Sequence, residues 1–219
     1  MASFITSAAP EAGRIIHSDA CVTEGAAWLA DHDPRFAEAL IQCGPLPLRR
    51  RPDGFGRLLS AIVSQQVSVA SAKAIWQRLL DAQLTTREEV VSASEDDLRA
   101  AGLSRQKIRY SIALAEEEID FEALRNMPTE AVIKVLTKVT GVGVWTAEIY
   151  AMFSLGRADV FAPGDLALQE AAKDLFDLPA RPSERELRKL AEAWSPWRSV
   201  AARILWAYYH VAKDREGIR

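Results

Sequence analysis

Two short stretches hold the residue types best suited to chemistry: VTGVGVWTA at residues 139–147 and DVFAPGD at residues 159–165. In the first, Gly141 and Gly143 let the backbone reverse sharply between two helices, with Val139 and Val142 packing inward. The N–H groups of Gly141, Gly143 and the residues opening the next helix, through Thr146, then point outward without partners. They lie at the positive end of a helix dipole, a site for an anion such as a backbone phosphate. In the second stretch, Asp165 stands just before an apolar helical run and fits an N-cap. A capped carboxylate receives N–H bonds that favour the anion and aim it. Such a group suits stabilisation of a sugar oxocarbenium ion or the orientation of water. Asp159, at the loop's start, reads as structural. Either stretch alone fits a plain helical hairpin or a plain cap; together they imply phosphate-backbone binding coupled to carboxylate chemistry.

The elements that must position these groups are helices. Nearly every segment carries a helical period and helix punctuation, and no stretch alternates in the manner of a strand, which predicts an all-α fold. Asp33–Pro34 with Gly44 brackets one helix, Asp53 opens FGRLLSAIVSQQ, and Ser68, Thr86 and Ser94 cap the next three. Ser104 opens RQKIRYSIALAEEEI, Thr129 caps EAVIKVLTKV, and Ser183 with Glu186 forms a capping box. Ser195 and Pro196 open the last helix. The fold is expected to be two-lobed: residues 55–160 form a central lobe with the hairpin at 136–147, residues 1–54 and 161–219 form the second, and the cleft lies between them.

Composition narrows the class. A chain of 219 residues with 49% hydrophobic residues can bury a full core. Two cysteines, Cys21 and Cys43, are too few for a disulfide framework or an iron–sulfur site, so a cytoplasmic setting is expected. No secretion signal opens the chain, and no run reaches the roughly 18 apolar residues of a membrane helix. His17, His32 and His210 have no metal or triad spacing. The net charge of −3 excludes a broad basic surface, so any DNA contact must rest on few cations. Arg49–Arg51, among Pro45, Pro47 and Pro52, reads as a solvated loop.

LxxVxGVGxxTA from Leu136 to Ala147 and the spacing of DVFAPGD resemble the helix-hairpin-helix DNA glycosylase superfamily. WSPWRSVAARILWAYY at 194–209 and AIVSQQVSVASAKAIW at 61–76 are similar to the DNA-3-methyladenine glycosylase II family in particular. The likeness spans residues 55–210 as ordered blocks, with Thr140 where the family often has proline. It implies a two-lobed helical DNA glycosylase with Asp165 as the catalytic aspartate and Trp145 and Trp206 lining a base pocket. An indole face attracts the positive charge of an alkylated base by roughly 0.5–2 kcal/mol. Trp145 occupies the position where strand-cutting relatives place a lysine, which implies hydrolysis without lyase chemistry. Gln66 aligns with the side chain pushed into the gap left by the flipped nucleotide, and Arg198 holds either Asp165 or a helix end. The hairpin carbonyls of Thr137, Val139 and Val142 would hold a monovalent cation, with no cofactor otherwise required.

The expected ligand is double-stranded DNA bearing alkylated bases, bound by a monomer at the nucleoid if the source is bacterial. Trp28, Trp76, Trp194 and Trp197 read as packing residues. Three rival readings stay open: a glycosylase for neutral damaged or mismatched bases, a non-catalytic hairpin module that clamps DNA, and a helical protein-interaction domain.

Overall fold

The computed structural model describes residues 12–215, so the opening stretch read for a secretion signal falls, through residue 11, outside the described residues. Among those described, the secondary structure is helical apart from one isolated antiparallel bridge between Ile15 and Arg157. The helices run α1 (Asp19–His32), α2 (Pro34–Cys43), α3 (Phe55–Ser64), α4 (Val69–Asp81), α5 (Arg87–Ser92), α6 (Glu95–Ala100) and α7 (Arg105–Glu116). Then come α8 (Phe121–Leu124), α9 (Thr129–Leu136), α10 (Val144–Phe153), α11 (Leu166–Leu175), α12 (Glu184–Leu190) and α13 (Arg198–Arg215), with a 3-10 turn at Ala191–Trp194. No helix among the described residues is long and apolar enough to cross a membrane.

Local chemistry sets many of the boundaries. Asp33, Ser68, Thr86, Ser94, Ser104, Asp165 and Ser183 each accept a first-turn N–H, and Thr86, Ser94 and Ser183 do so in capping boxes. Some expected boundaries move, because a distant partner or an adjacent residue overrides the local signal. Gly54 takes the N-cap position of α3, while Asp53 pairs with Arg125 at 2.7 Å. Thr129 lies within the first turn of α9 behind Pro128 and makes no cap. The final helix starts at Arg198 rather than at Ser195–Pro196, since Ser195 hydrogen-bonds Asp159 instead. α7 stops at Glu116, because Glu117 turns extended and Ile119 folds back onto the core.

α13 packs on α2, α11 and α1, while α3 packs on α4 and α7, with α5 and α6 against α7. One large core runs through both groups, from Ile16 and Phe36 to Leu58, Ala151 and Leu205. A smaller core of Val63, Ile75, Leu79, Leu98 and Ile108 sits under α3, α4, α6 and α7. Trp194 and Trp197 are buried, and Gly25 of α1 lies so close to Trp197 that a Cβ there would sit 2.6 Å from its ring. The buried Arg157 gathers the carbonyls of Ala12, Leu124, Arg125 and Met127, which binds the start of the 159–165 loop to the rest of the core.

Candidate active site

α9 and α10 form the hairpin through the turn at 137–143. Gly141 has φ +95°, and a Cβ there would collide with the Tyr110 ring, so the turn needs glycine on both counts. Gly143 is extended at φ −82°, ψ 171°, contrary to a left-handed reading, and nothing lies within 4 Å of where its Cβ would be. Its role is therefore open surface rather than backbone freedom. The first bond of α10 runs from the Ala147 N–H to the Gly143 carbonyl at 3.0 Å, leaving the amides from Gly143 to Thr146 ahead of it facing out. The Val139 carbonyl accepts the Val142 N–H at 3.0 Å, while no backbone N–H reaches the carbonyls of Thr137 and Val142 among the described residues.

The loop after α10 carries two carboxylates held in different ways. Asp159 receives Arg198 Nε at 2.6 Å and Ser195 Oγ at 2.8 Å, so Arg198 serves Asp159 and the opening of α13, not Asp165. Asp165 is held by N–H donors alone. The Ala167 and Leu168 amides donate to Oδ1 at 3.0 and 3.2 Å. Trp206 Nε1 also donates to Oδ1, at 3.2 Å, and Trp145 Nε1 donates to Oδ2 at 3.1 Å. No cationic side chain pairs with Asp165 among the described residues. Gln169 Nε2, donating to the Pro163 carbonyl at 2.8 Å, closes the loop over the first turn of α11.

Beside this carboxylate, α3 and α10 enclose a cleft of about 430 Å³ whose lining includes Arg57, Ala61, Gln66, Trp145, Thr146 and Tyr150. Two hydrogen bonds set the relative direction of the helices. Gln65 Nε2 donates to the Gly141 carbonyl at 2.9 Å, joining the end of α3 to the hairpin. The Gly54 N–H donates to the Tyr150 hydroxyl at 2.8 Å, joining the start of α3 to the middle of α10. Gln66 thus stands exposed at the hairpin end, with φ +55°, a left-handed backbone uncommon outside glycine. The lining comes wholly from residues within 55–160; Asp165 meets it through its bond to Trp145, while Trp206 binds Asp165 and is not among the lining residues.

The two tryptophans differ in setting. Trp145 is 45% exposed and lines the cleft, so its ring face is open. Trp206 is 9% exposed, tilted against Phe153 at 5.7 Å between ring centres, and holds the carboxylate from α13. Thr146 is buried in the first turn of α10, with its side chain on the cleft wall.

Three further groups escaped sequence reasoning. Burial raises the Tyr150 pKa to about 12, which keeps its hydroxyl protonated. Glu148, 1% exposed, pairs with Arg188 Nη1 at 2.9 Å, and burial outweighs that pairing and pushes its pKa up to about 7. Arg188 also holds Glu184, whose carboxylate lies 3.5 Å from where a Cβ on Gly164 would sit, so this network braces the loop next to Asp165. The third is Arg57. An acid at Glu148, on an otherwise apolar helix, is the one signal in the sequence that could have flagged any of them.

The model of the HhH-GPD superfamily of base excision DNA repair proteins matches residues 59–196. The chain is similar to DNA-3-methyladenine glycosylase 1 of Schizosaccharomyces pombe, 30% identical over 178 residues that cover 77% of this chain and 78% of the relative. It is also similar to the alkylbase DNA glycosidase-like protein mag2 of the same yeast, 27% identical over 81% of this chain and 89% of that one. Among solved structures, DNA-3-methyladenine glycosidase from Bacillus halodurans superposes with a TM-score of 0.79 at 32% identity, covering 92% of this chain and 94% of that one. The S. pombe 3-methyladenine DNA glycosylase in complex with abasic DNA superposes with a TM-score of 0.73 at 28% identity, covering 84% and 95%.

Proposed function

The chain belongs to the HhH-GPD superfamily of base excision DNA repair proteins, and from that premise we propose that it is a DNA glycosylase that flips out and hydrolytically excises alkylated bases, 3-methyladenine among them. The observation that carries this reading is Asp165: a carboxylate beside a cleft, held by four N–H donors and neutralised by no cation.

The outward amides from Gly143 to Thr146 bind a phosphate of the DNA backbone, and the extended Gly143 lets it approach without a side chain in the way. Gln66 enters the space left by the extruded nucleotide, and its hairpin-end position next to the Gln65–Gly141 bond supports that role. The flipped base enters the cleft against the open face of Trp145. A base alkylated at a ring nitrogen carries positive charge, which an indole face attracts. As the C1′–N bond breaks, its electron pair leaves with the base, which departs neutral, and positive charge builds on the sugar. The Asp165 carboxylate stabilises that charge, then accepts a proton from the water that attacks C1′. The indole N–H groups of Trp145 and Trp206 keep both carboxylate oxygens aimed throughout.

Trp145 offers no amine to trap the sugar as a Schiff base, so the reaction ends at an abasic site. If the hairpin takes a monovalent cation, the carbonyls of Thr137, Val139 and Val142 would hold it, and a neutral set of carbonyl oxygens suits a hard ion. The cation would add positive charge next to the bound phosphate.

The test is release of free bases from methylated duplex DNA. The protein should liberate 3-methyladenine and leave alkali-labile sites without forming a borohydride-trapped protein–DNA adduct. No base release would overturn the glycosylase assignment, whereas a trapped adduct would overturn only the hydrolytic part.

A further inference from the structure

The cleft is lined by a cation. Arg57 lies in the first turn of α3, half-buried on the cleft wall. Among the described residues its guanidinium donates no hydrogen bond, pairs with no carboxylate and stacks on no ring, and the groups that act on its charge are Arg51 and Tyr150. Other arginines of the structure are committed: Arg157 to four carbonyls, Arg203 to Ser199 and Leu48, Arg125 to Asp53, Arg188 to Glu148, Arg198 to Asp159. Burial, reinforced by the nearby Arg51 and only partly opposed by Tyr150, pulls the Arg57 pKa below that of an ordinary arginine.

Its place along the cleft defines what it can meet. The Gln65–Gly141 bond sets the hairpin end, with Gln66 and Trp145, while the Gly54–Tyr150 bond sets the opposite end, with Arg57. Eight residues of helix separate Arg57 from Gln65, about 12 Å at the α-helical rise. A purine placed with its glycosidic nitrogen near Asp165, at the Trp145 end, would have its far edge on the Arg57 side of the cleft.

Resting on the glycosylase reading, we propose that Arg57 determines specificity at the end of the base cleft next to the start of α3 and selects neutral 6-oxopurines with a free N7, of which hypoxanthine is the simplest. A guanidinium presents two parallel N–H donors that match the O6 and N7 acceptors of such a base. A 3-methyladenine nucleotide instead turns a 6-amino donor and a positive charge toward it. A 7-methylguanine nucleotide keeps O6 but blocks N7, and falls between the two. Arg57 therefore works against Trp145: the indole face favours cationic bases, and the guanidinium favours neutral ones that carry acceptors.

Single-turnover base release tests this, using duplexes with one hypoxanthine, duplexes with one 7-methylguanine, and methylated DNA for 3-methyladenine. The wild-type protein should release all three. Arg57→Met should slow hypoxanthine release by about tenfold or more, the discrimination expected of a bidentate pair, and should speed 3-methyladenine release. Arg57→Lys, which keeps the charge but loses the fork, should fall between. A uniform loss for all three bases would make Arg57 a backbone-phosphate or structural residue and overturn the proposal. So would an unchanged hypoxanthine to 3-methyladenine ratio, or a wild-type protein that releases 3-methyladenine but no hypoxanthine. Should Arg57→Met fail to fold, Arg57→Gln must show the same change of ratio. A wild-type protein that releases none of the three bases would bring down the glycosylase reading itself, and the specificity proposal with it.

Discussion

Six residues apart on one loop, Asp159 and Asp165 have the same side chain and opposite surroundings. Asp159 meets a guanidinium and a hydroxyl, so its charge is cancelled and its carboxylate joins the loop to α13. Asp165 meets two amides and two indoles, neutral donors that orient it but leave the net negative charge in place. A carboxylate already paired with arginine has little field left for a developing cation, whereas one held by dipoles keeps it. The contrast separates a carboxylate that holds the loop together from one able to act on a substrate.

The sharpest way to break the contrast is Asp165→Asn. Asparagine is as good an N-cap as aspartate, so thermal stability should hold within about 1 kcal/mol while base release falls on the order of 1000-fold. Comparable activity in the variant would remove Asp165 from the chemistry.

The next effect is read by pH. Glu148 has a pKa of about 7 in the folded protein against 4.5 in the unfolded chain. The folded state therefore holds this proton more tightly, and its contribution to stability, full below pH 4.5, is lost as pH rises to about 7 and is level above. The limiting loss is about 3 kcal/mol. Urea unfolding between pH 4.5 and 8 should show this slope, and Glu148→Gln should flatten it.

Asp159→Ala should cost about 1–2 kcal/mol of stability, since its partners are partly exposed. It should reduce base release less than Asp165→Asn does; a loss as large as that from Asp165→Asn would erase the distinction between the two carboxylates. Smallest is Trp206→Phe, which keeps the ring but removes one donor to Oδ1. It should lower the single-turnover rate by about tenfold with little change in DNA affinity, and a pure affinity loss would show that the indole does not position the carboxylate.

Caps and turns were legible in the chain because they depend on neighbours within a few residues. Ser68, Thr86, Ser94, Ser104, Asp165 and Ser183 each serve a first-turn N–H, and Gly141 takes the left-handed backbone its turn requires. The expected openings at Asp53 and Thr129 failed where a more distant partner or a preceding proline prevailed. The sequence by itself thus determined the all-α class, the hairpin, the helix carried by Asp165 and, through the resemblance of its blocks, the family. Only the tertiary structure decided which charges are cancelled. It put Arg198 on Asp159 rather than Asp165, brought indoles from positions 145 and 206 to one carboxylate, and left the Arg57 guanidinium without a partner in the cleft. Capping acts over one helical turn and is written in adjacent residues, while compensation of charge depends on through-space distances between side chains 20 to 41 positions apart.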